Sequence, residues 1–184
     1  MWIDIVLSVF GSAFLAEIVG PLVHRAEHAC FLGEEIKRLH QVHHEVDYPP
    51  HALCPKSRPD YKKAGEWLWY LIGLLVMAAL FLGTFFLGLP LRYPAELSIG
   101  AGLYGFFVID NLHRAFHTPH HWLRRYEWFR NAARRHYIHH WKPVNFGIAS
   151  PLYDWLAGKW EENFPKEPEN VFPYNADPTL FYTI

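Results

Sequence analysis

The sequence predicts an all-α integral membrane protein with about three transmembrane helices and a cytoplasmic helical cap that carries clustered histidines. Two observations predict this fold class. The 184-residue chain is 51% hydrophobic, and nearly all of the apolar excess falls in three blocks of helical length. The 13 histidines lie outside these blocks, and many are spaced three or four residues apart, which places side chains on one helical face.

The first apolar block, residues 5–23, approaches the length of a bilayer crossing. A signal peptide is the alternative interpretation, but the chain opens without a basic segment. Glu17 lies inside this block, where lipid disfavours a carboxylate, so we expect it to face protein or a polar cavity. It precedes His24 by seven residues on the same helical face, which makes it a candidate partner for a ligand imidazole.

The second and third apolar blocks predict a transmembrane hairpin. Residues 67–91 contain no charged side chain and form the clearest transmembrane candidate in the sequence. The third block, residues 97–112, is shorter than the second and includes Asp110 near its end. Pro90, at the end of the second block, and Pro94, between the two blocks, indicate a tight turn.

Three glycines in the third block form a literal G-x-G-x-x-G at Gly100, Gly102 and Gly105. A dinucleotide site requires a strand before these glycines and a helix that opens at them. The sequence predicts neither. Small residues that let membrane helices approach closely are the better explanation.

The basic residues predict the topology of the chain. Sixteen of the 17 lysines and arginines lie in residues 24–66 and 113–184, and only Arg92 lies in the loop between the second and third blocks. The positive-inside rule then places every histidine on the cytoplasmic face of a bacterial inner membrane or, in a eukaryote, of the endoplasmic reticulum. The net charge of -1 provides no basic field for nucleic acid.

We therefore expect one domain over residues 1–184. Its segments are a first transmembrane helix (1–23), a first histidine region (24–66), a transmembrane hairpin (67–112), a second histidine region (113–160) and an extended tail (161–184).

A pair of histidines followed by a triplet occurs twice in the chain. The His-x3-His pairs begin at His24 and His113, and His-x2-His-His triplets begin at His40 and His136, with a further one at His117. A random arrangement of the same composition would give about 0.06 such triplets, so chance is a poor explanation. Neutral imidazole suits iron, zinc, copper and nickel, and the spacing therefore predicts a metal site.

Three further histidines are less informative. His120 and His121 complete the triplet that begins at His117, and they are either ligands or exposed interfacial residues. His51 lies in a proline-rich stretch and is expected to be incidental.

The ordered histidine motifs, the apolar hairpin and the ending Asn145-Phe146-Gly147 with Pro151-Leu152-x-Asp154 resemble the fatty acid hydroxylase superfamily, which also contains the sterol desaturases. The resemblance covers roughly residues 20–160. It implies two iron ions that use O2 and two electrons to hydroxylate or desaturate a lipid C–H bond. The ligands that it implies are His24, His28, His40, His43, His44, His113, His117, His136, His139 and His140.

The resemblance also implies partners for this reaction. The substrate would be a membrane lipid, either fatty-acyl or sterol-like, and a separate ferredoxin- or cytochrome-type protein would donate the electrons. Asp110 precedes His113 and His117 by three and seven residues on their helical face, so we expect it to hydrogen-bond a ligand imidazole.

Two alternatives stay open at this point. A carotenoid hydroxylase would use the same chemistry on another membrane substrate. A non-catalytic membrane metal-binding protein would also collect histidines, but it would place polar ligands along a pathway through the membrane. The absence of histidine from the second and third apolar blocks favours an enzyme.

Overall fold

The computed structural model describes residues 2–29, 31–54 and 66–164. These residues form helices joined by turns and loops, and no strand occurs among them, which confirms the all-α fold class. The helices are α1 (Trp2–His28), α2 (Glu34–Val42), α3 (Glu66–Phe86), α4 (Arg92–Tyr104), α5 (Asn111–His117), α6 (Glu127–Trp141) and α7 (Leu152–Leu156). Two π-helical turns, His43–Asp47 and Gly105–Asp110, continue α2 and α4, and a 3-10 turn, Trp122–Arg125, precedes α6.

Two helical runs extend further along the chain than the predicted transmembrane segments. Helix α1 continues through His28, so the first histidine pair lies on the first apolar helix itself and not after it. Similarly, α4, the second π turn and α5 follow one another without a break from Arg92 to His117. Both His-x3-His pairs therefore lie at the end of a long helical run that contains an apolar block.

The number of membrane crossings is supported only in part. Within the described residues, one helical stretch, Leu7–His28, is long and apolar enough to cross a membrane, and a shorter apolar stretch covers Leu71–Phe86. The side chains of residues 66–70 lie outside the described set, as do residues 55–65 and residues 165–184 of the predicted tail. The count of three crossings stays a prediction.

Helix α4 packs against both α1 and α3, and glycines allow the close contact on each side. A Cβ atom at Gly100 would overlap the hydroxyl of Ser12 on α1, and one at Gly102 would overlap the sulfur of Met77 on α3. The first two glycines of the G-x-G-x-x-G motif therefore act in helix packing, as the sequence predicted.

Helices α5 and α6 pack together through a small apolar core next to the clustered histidines. Phe116 and Phe129 are fully buried and their ring centroids are 5.2 Å apart. Leu53 packs into the same core from the loop that follows the first π turn. This core fixes α5 against α6, which carry four of the clustered histidines.

Candidate metal centre

Nine of the ten predicted ligands converge into two groups of imidazoles. Within each group, one nitrogen from every ring lies within 4.8 Å of the others. The first group is His24, His28, His40, His44 and His139. The second group is His43, His117, His136 and His140.

The helical period decides which histidine joins which group. Residues four apart differ by about 40° around a helix, whereas residues i+3 and i+4 differ by about 100°. His40 and His44 accordingly share the first group while His43 points to the second. On α6 the pair His136 and His140 belongs to the second group, and His139 to the first. The triplets that begin at His40 and His136 therefore each supply imidazoles to both groups.

Backbone carbonyls hold four of the rings by their Nδ1 atoms. Because a carbonyl oxygen only accepts hydrogen bonds, each of these Nδ1 atoms carries the proton and leaves a lone pair on Nε2. Such contacts orient an imidazole toward a metal. The pairs are His24 with Phe146 O (2.9 Å), His139 with Val144 O (2.8 Å), His117 with Leu53 O (2.8 Å) and His140 with Tyr48 O (2.8 Å).

The Nε2 atoms approach one another at distances that fit metal coordination. In the first group, His28 Nε2 lies 2.8 Å from His40 Nε2 and 3.2 Å from His139 Nε2. In the second group, His136 Nε2 lies 2.9 Å from His117 Nε2 and 3.1 Å from His140 Nε2. Two nitrogens that each lie about 2.0–2.1 Å from one metal ion are about 3 Å apart when they are adjacent ligands. The groups therefore have the spacing of two metal sites.

Burial keeps these imidazoles in the form that binds metal. Desolvation lowers the pKa of His117 to about 3. It also lowers the pKa well below the ordinary value for a further set, namely His40, His44, His136, His139 and His140. These histidines are neutral at pH 7, and a neutral imidazole offers its lone pair to a metal without first losing a proton.

The loop after α6 presents two of the orienting carbonyls. The Asp154 carboxylate accepts hydrogen bonds from Phe146 N and Gly147 N, each at 2.8 Å. Asn145 adopts a left-handed backbone conformation with φ of 53°, and its side chain bonds the backbone of Glu161. The Asn-Phe-Gly and Pro-Leu-x-Asp motifs thus build the loop that orients His24 through the Phe146 carbonyl.

A partly buried polar cluster supports the loop behind the second group. Arg124 Nη2 donates to Cys54 Sγ at 2.9 Å, to Tyr137 Oη at 2.8 Å and to the Phe116 carbonyl at 2.8 Å. Cys54 Sγ also donates to the Phe116 carbonyl at 3.0 Å. These bonds tie residue 54 to the end of α5, so the neighbouring Leu53 carbonyl is held where it accepts from His117.

Both predicted carboxylate partners make polar contacts in the structure. Glu17 is 7% exposed and, as expected, faces protein. It accepts hydrogen bonds from Tyr104 Oη at 2.8 Å and from the amide and hydroxyl of Ser150, and none of these described partners is an imidazole. Asp110 forms an ion pair with Arg114 Nε at 3.0 Å. Its support of a ligand ring stays a prediction.

The remaining histidines divide into a neighbour of the site and residues outside it. His113 lies beside the second group, with its ring centroid 4.6 Å from that of His136 and 4.9 Å from that of His43. Its role as a ligand stays a prediction. His121 accepts a hydrogen bond from Leu123 N and stacks on Phe129. Neither it nor His120 or His51 is in either group.

An apolar cavity of about 510 Å³ leads to the histidines from between α1, α3 and α4. Its walls include Gly20, Met77 and Gly105, and it ends at His24, His40 and further polar residues. Small-molecule sites commonly have this volume and an apolar lining with a few polar groups at one point. The arrangement can therefore bring an apolar molecule to the metal-binding groups.

Two features of the site were missed in the sequence. Glu27 is 1% exposed and its Oε2 lies 3.4 Å from His40 Nδ1. It lies within the first histidine pair, and that position was the only signal available for it. Tyr48 is fully buried, stacks on His117 with 4.0 Å between ring centroids, and supplies a carbonyl to His140. No sequence pattern indicated this residue.

Comparison with known proteins identifies the family. The family model of the fatty acid hydroxylases matches residues 9–159, which is most of the chain and includes all ten predicted ligands. No curated protein and no solved structure matches the chain. The matched region contains both histidine groups, the cavity and the loop built by Asn145 and Asp154. The chain belongs to the fatty acid hydroxylase family.

Proposed function

We propose that this protein is a di-iron, O2-dependent oxygenase that hydroxylates or desaturates a C–H bond of a membrane lipid. The observation that carries the proposal is the position of two buried imidazole groups at the end of an apolar cavity. The fatty acid hydroxylase family supports lipid oxidation as the reaction class.

The donor set supports iron in both groups. Among the residues that the structure describes, nine imidazoles form the two groups and no carboxylate or thiolate joins them. Imidazole binds iron, zinc and copper, whereas calcium and magnesium prefer oxygen ligands. Zinc has no redox chemistry, whereas iron, the metal that the family resemblance implies, would supply the reduction of O2 needed to oxidise an unactivated C–H bond. The histidines contribute ligands that are neutral before binding, because burial lowers the pKa of rings such as His117.

The cavity supports a lipid chain as the substrate. Side chains of α1, α3 and α4 give it apolar walls, and a hydrocarbon chain would be held there without water around it. Its histidine end is lined by His24, His40, His43 and His113. A chain that enters from the helices would therefore present one segment of its length to the metal-binding groups, and the position of that segment would select the carbon that reacts.

We further propose three membrane crossings, with the histidine groups on the cytoplasmic side. The distribution of basic residues and the apolar stretch Leu7–His28 support this topology. A site at the cytoplasmic end of the helices would be accessible to a separate ferredoxin- or cytochrome-type electron donor, while the lipid would arrive from the bilayer.

A carotenoid hydroxylase is the alternative within the same chemistry, and a non-catalytic metal-binding protein is the alternative of another class. The cavity argues against the second alternative, because an apolar chamber beside the imidazoles has no role in storing or moving metal ions.

The experiment combines metal analysis with turnover. The full chain, purified in detergent and loaded with Fe²⁺, is incubated with a chemical or enzymatic reductant, O2 and a panel of fatty-acyl, sterol and carotenoid lipids. We expect two iron ions per chain and an oxidised lipid that forms only when both reductant and O2 are present. Two bound iron ions with no product across the panel would instead support the non-catalytic alternative.

A further inference from the structure

Glu27 is a buried carboxylate that lies beside the first histidine group without being a member of it. Its side chain is 1% exposed, and its Oε2 atom lies 3.4 Å from Nδ1 of His40, which is itself almost fully buried. Glu27 also lines the histidine end of the apolar cavity. A carboxylate in such a position has a large effect on neighbouring groups, because the surroundings screen its charge weakly.

The Glu27 carboxylate lies at the same ring atom of His40 that carbonyls contact in four other rings, but at the longer distance of 3.4 Å. His40 presents Nδ1 to the carboxylate, and its Nε2 lies 2.8 Å from His28 Nε2 inside the first group. The partner of His40 differs in charge from those of the four other rings. It is a carboxylate, whereas the described Nδ1 partners are neutral carbonyls for His24, His139, His117 and His140. A carboxylate makes an imidazole a stronger donor to a metal than a neutral partner does.

We infer that Glu27 is a positioning residue that holds His40 and strengthens metal binding by the first group only. This inference rests on the proposed two-metal site. It makes the two metal positions unequal: the first has a ligand backed by a negative charge, whereas the described contacts of His117 and His140 in the second are to neutral carbonyls. The buried negative charge also offsets part of the positive charge of a metal in the first group.

The chain provides a matched control for this carboxylate. Glu17 is on the same helix, is also buried and also lines the cavity. Its hydrogen bonds go to Tyr104 and Ser150 and not to an imidazole. Changing Glu17 to Gln removes a buried carboxylate from α1 without removing a partner of a metal-binding ring.

The test is a Co²⁺ titration of the purified metal-free full chain, followed by the visible absorption of bound Co²⁺. For the unsubstituted protein we expect two bound ions with distinguishable spectra. Glu27→Gln keeps the side-chain volume and removes the charge, so it should weaken one of the two about 10- to 100-fold and shift only that spectrum. Glu27→Asp keeps the charge and should bind that ion more tightly than the Gln variant does. Glu17→Gln should retain both ions.

The thermal midpoint of the metal-free variants distinguishes positioning from a role in folding. We expect Glu27→Gln to unfold at the temperature of the unsubstituted metal-free protein. Unchanged binding of both ions in Glu27→Gln, an equal loss of both, or an Asp variant no better than Gln would each overturn the inference. Binding of fewer than two Co²⁺ ions by the unsubstituted protein would instead refute the two-metal site on which the inference rests.

Discussion

At the scale of single residues, neighbouring histidines on α6 belong to different metal-binding groups. His139 is in the first group and His140 is in the second. Replacing either with Ala should therefore remove a ligand from one group only, so we expect each variant to retain about half of the bound iron and to lose turnover. Iron per chain, measured by mass spectrometry of the purified variants, checks this expectation.

The control for these variants is His121→Ala. His121 lies outside both groups and caps the 3-10 turn before α6. This variant should keep all of its iron. Loss of all the metal in both His139→Ala and His140→Ala would show that the two groups bind metal as one unit, and full retention in either would remove that histidine from the site.

Asp110 provides a second prediction at this scale. It lines the cavity together with His113 and forms an ion pair with Arg114. If its carboxylate supports a ligand ring, Asp110→Asn should lower iron retention or turnover about 10- to 100-fold. A partly exposed ion pair contributes at most about 1 kcal/mol, so loss of the pair alone should change little. Arg114→Gln removes the same ion pair by changing its other member. An equal loss of iron retention or turnover in both variants would mean that the ion pair, and not support of a ligand ring, is responsible.

The convergence of histidines could be predicted from sequence at this scale, because helical spacing brings His136 and His140 to one face. The partners of the rings could not. The carbonyls of Tyr48 and Leu53 lie in a loop whose path depends on the whole fold. Glu27 contacts a histidine 13 residues away on another helix, and no local pattern encodes that distance.

At the scale of elements, the joined run of α4 and its π turn forms one wall of the cavity. A Cβ at Gly105 would meet no atom within 4 Å, and this residue lines the cavity. Gly105→Leu should therefore fill part of the cavity without disturbing helix packing. We expect iron content to be unchanged and the turnover of longer lipid chains to fall about 10-fold relative to shorter ones. Product ratios from a series of chain lengths measure the change.

The matched control for this substitution is Gly83→Leu. Gly83 is on α3, is also open to a Cβ atom and does not line the cavity. It should leave the chain-length preference unaltered. A shift of equal size in both variants would mean that the preference does not depend on the cavity.

The elements themselves were largely predictable, because long apolar blocks and histidine spacing both indicate helices. The π turns were not. In the first, Tyr48 N bonds to the carbonyl of His43, five residues earlier, at 2.9 Å. This wider turn ends the helical run after the His40 triplet and leads the chain into the loop that carries Tyr48 and Leu53. Such a turn has no composition signal comparable with that of an apolar helix.

At the scale of the whole molecule, the topology is testable with reporters. Sixteen lysines and arginines lie in residues 24–66 and 113–184, which contain the two histidine regions, and the remaining one, Arg92, lies in the loop of the predicted hairpin. A reporter fused after Ile184 should be cytoplasmic, and one inserted beside Arg92 should be outside, because the positive-inside rule retains the basic segments. A reporter inserted near Gly33, between α1 and α2, should match the one at the C-terminus. Opposite locations for these two would mean that the histidine groups are not assembled on one side.

The concentration of buried histidines also makes the stability of the metal-free protein depend on pH. In the unfolded chain a histidine has a pKa near 6.5, whereas burial lowers the pKa of His117 to about 3 in the folded protein. Between these values the unfolded chain binds more protons, so the free energy of unfolding falls as the pH falls through this range. Each such histidine contributes up to about 1.4 kcal/mol per pH unit, and above pH 7 the contribution is constant.

Because His40, His44, His136, His139 and His140 are shifted in the same direction, we expect the loss on acidification to be steep. Thermal midpoints of the metal-free protein measured from pH 8 to pH 5 should be level at first and then fall below about pH 6.5. His121→Ala should follow the same curve, since that residue is only partly buried and lies outside both groups. A level curve down to pH 5 would mean that the metal-free histidines are already protonated or exposed, and the two groups would then assemble only around the metal.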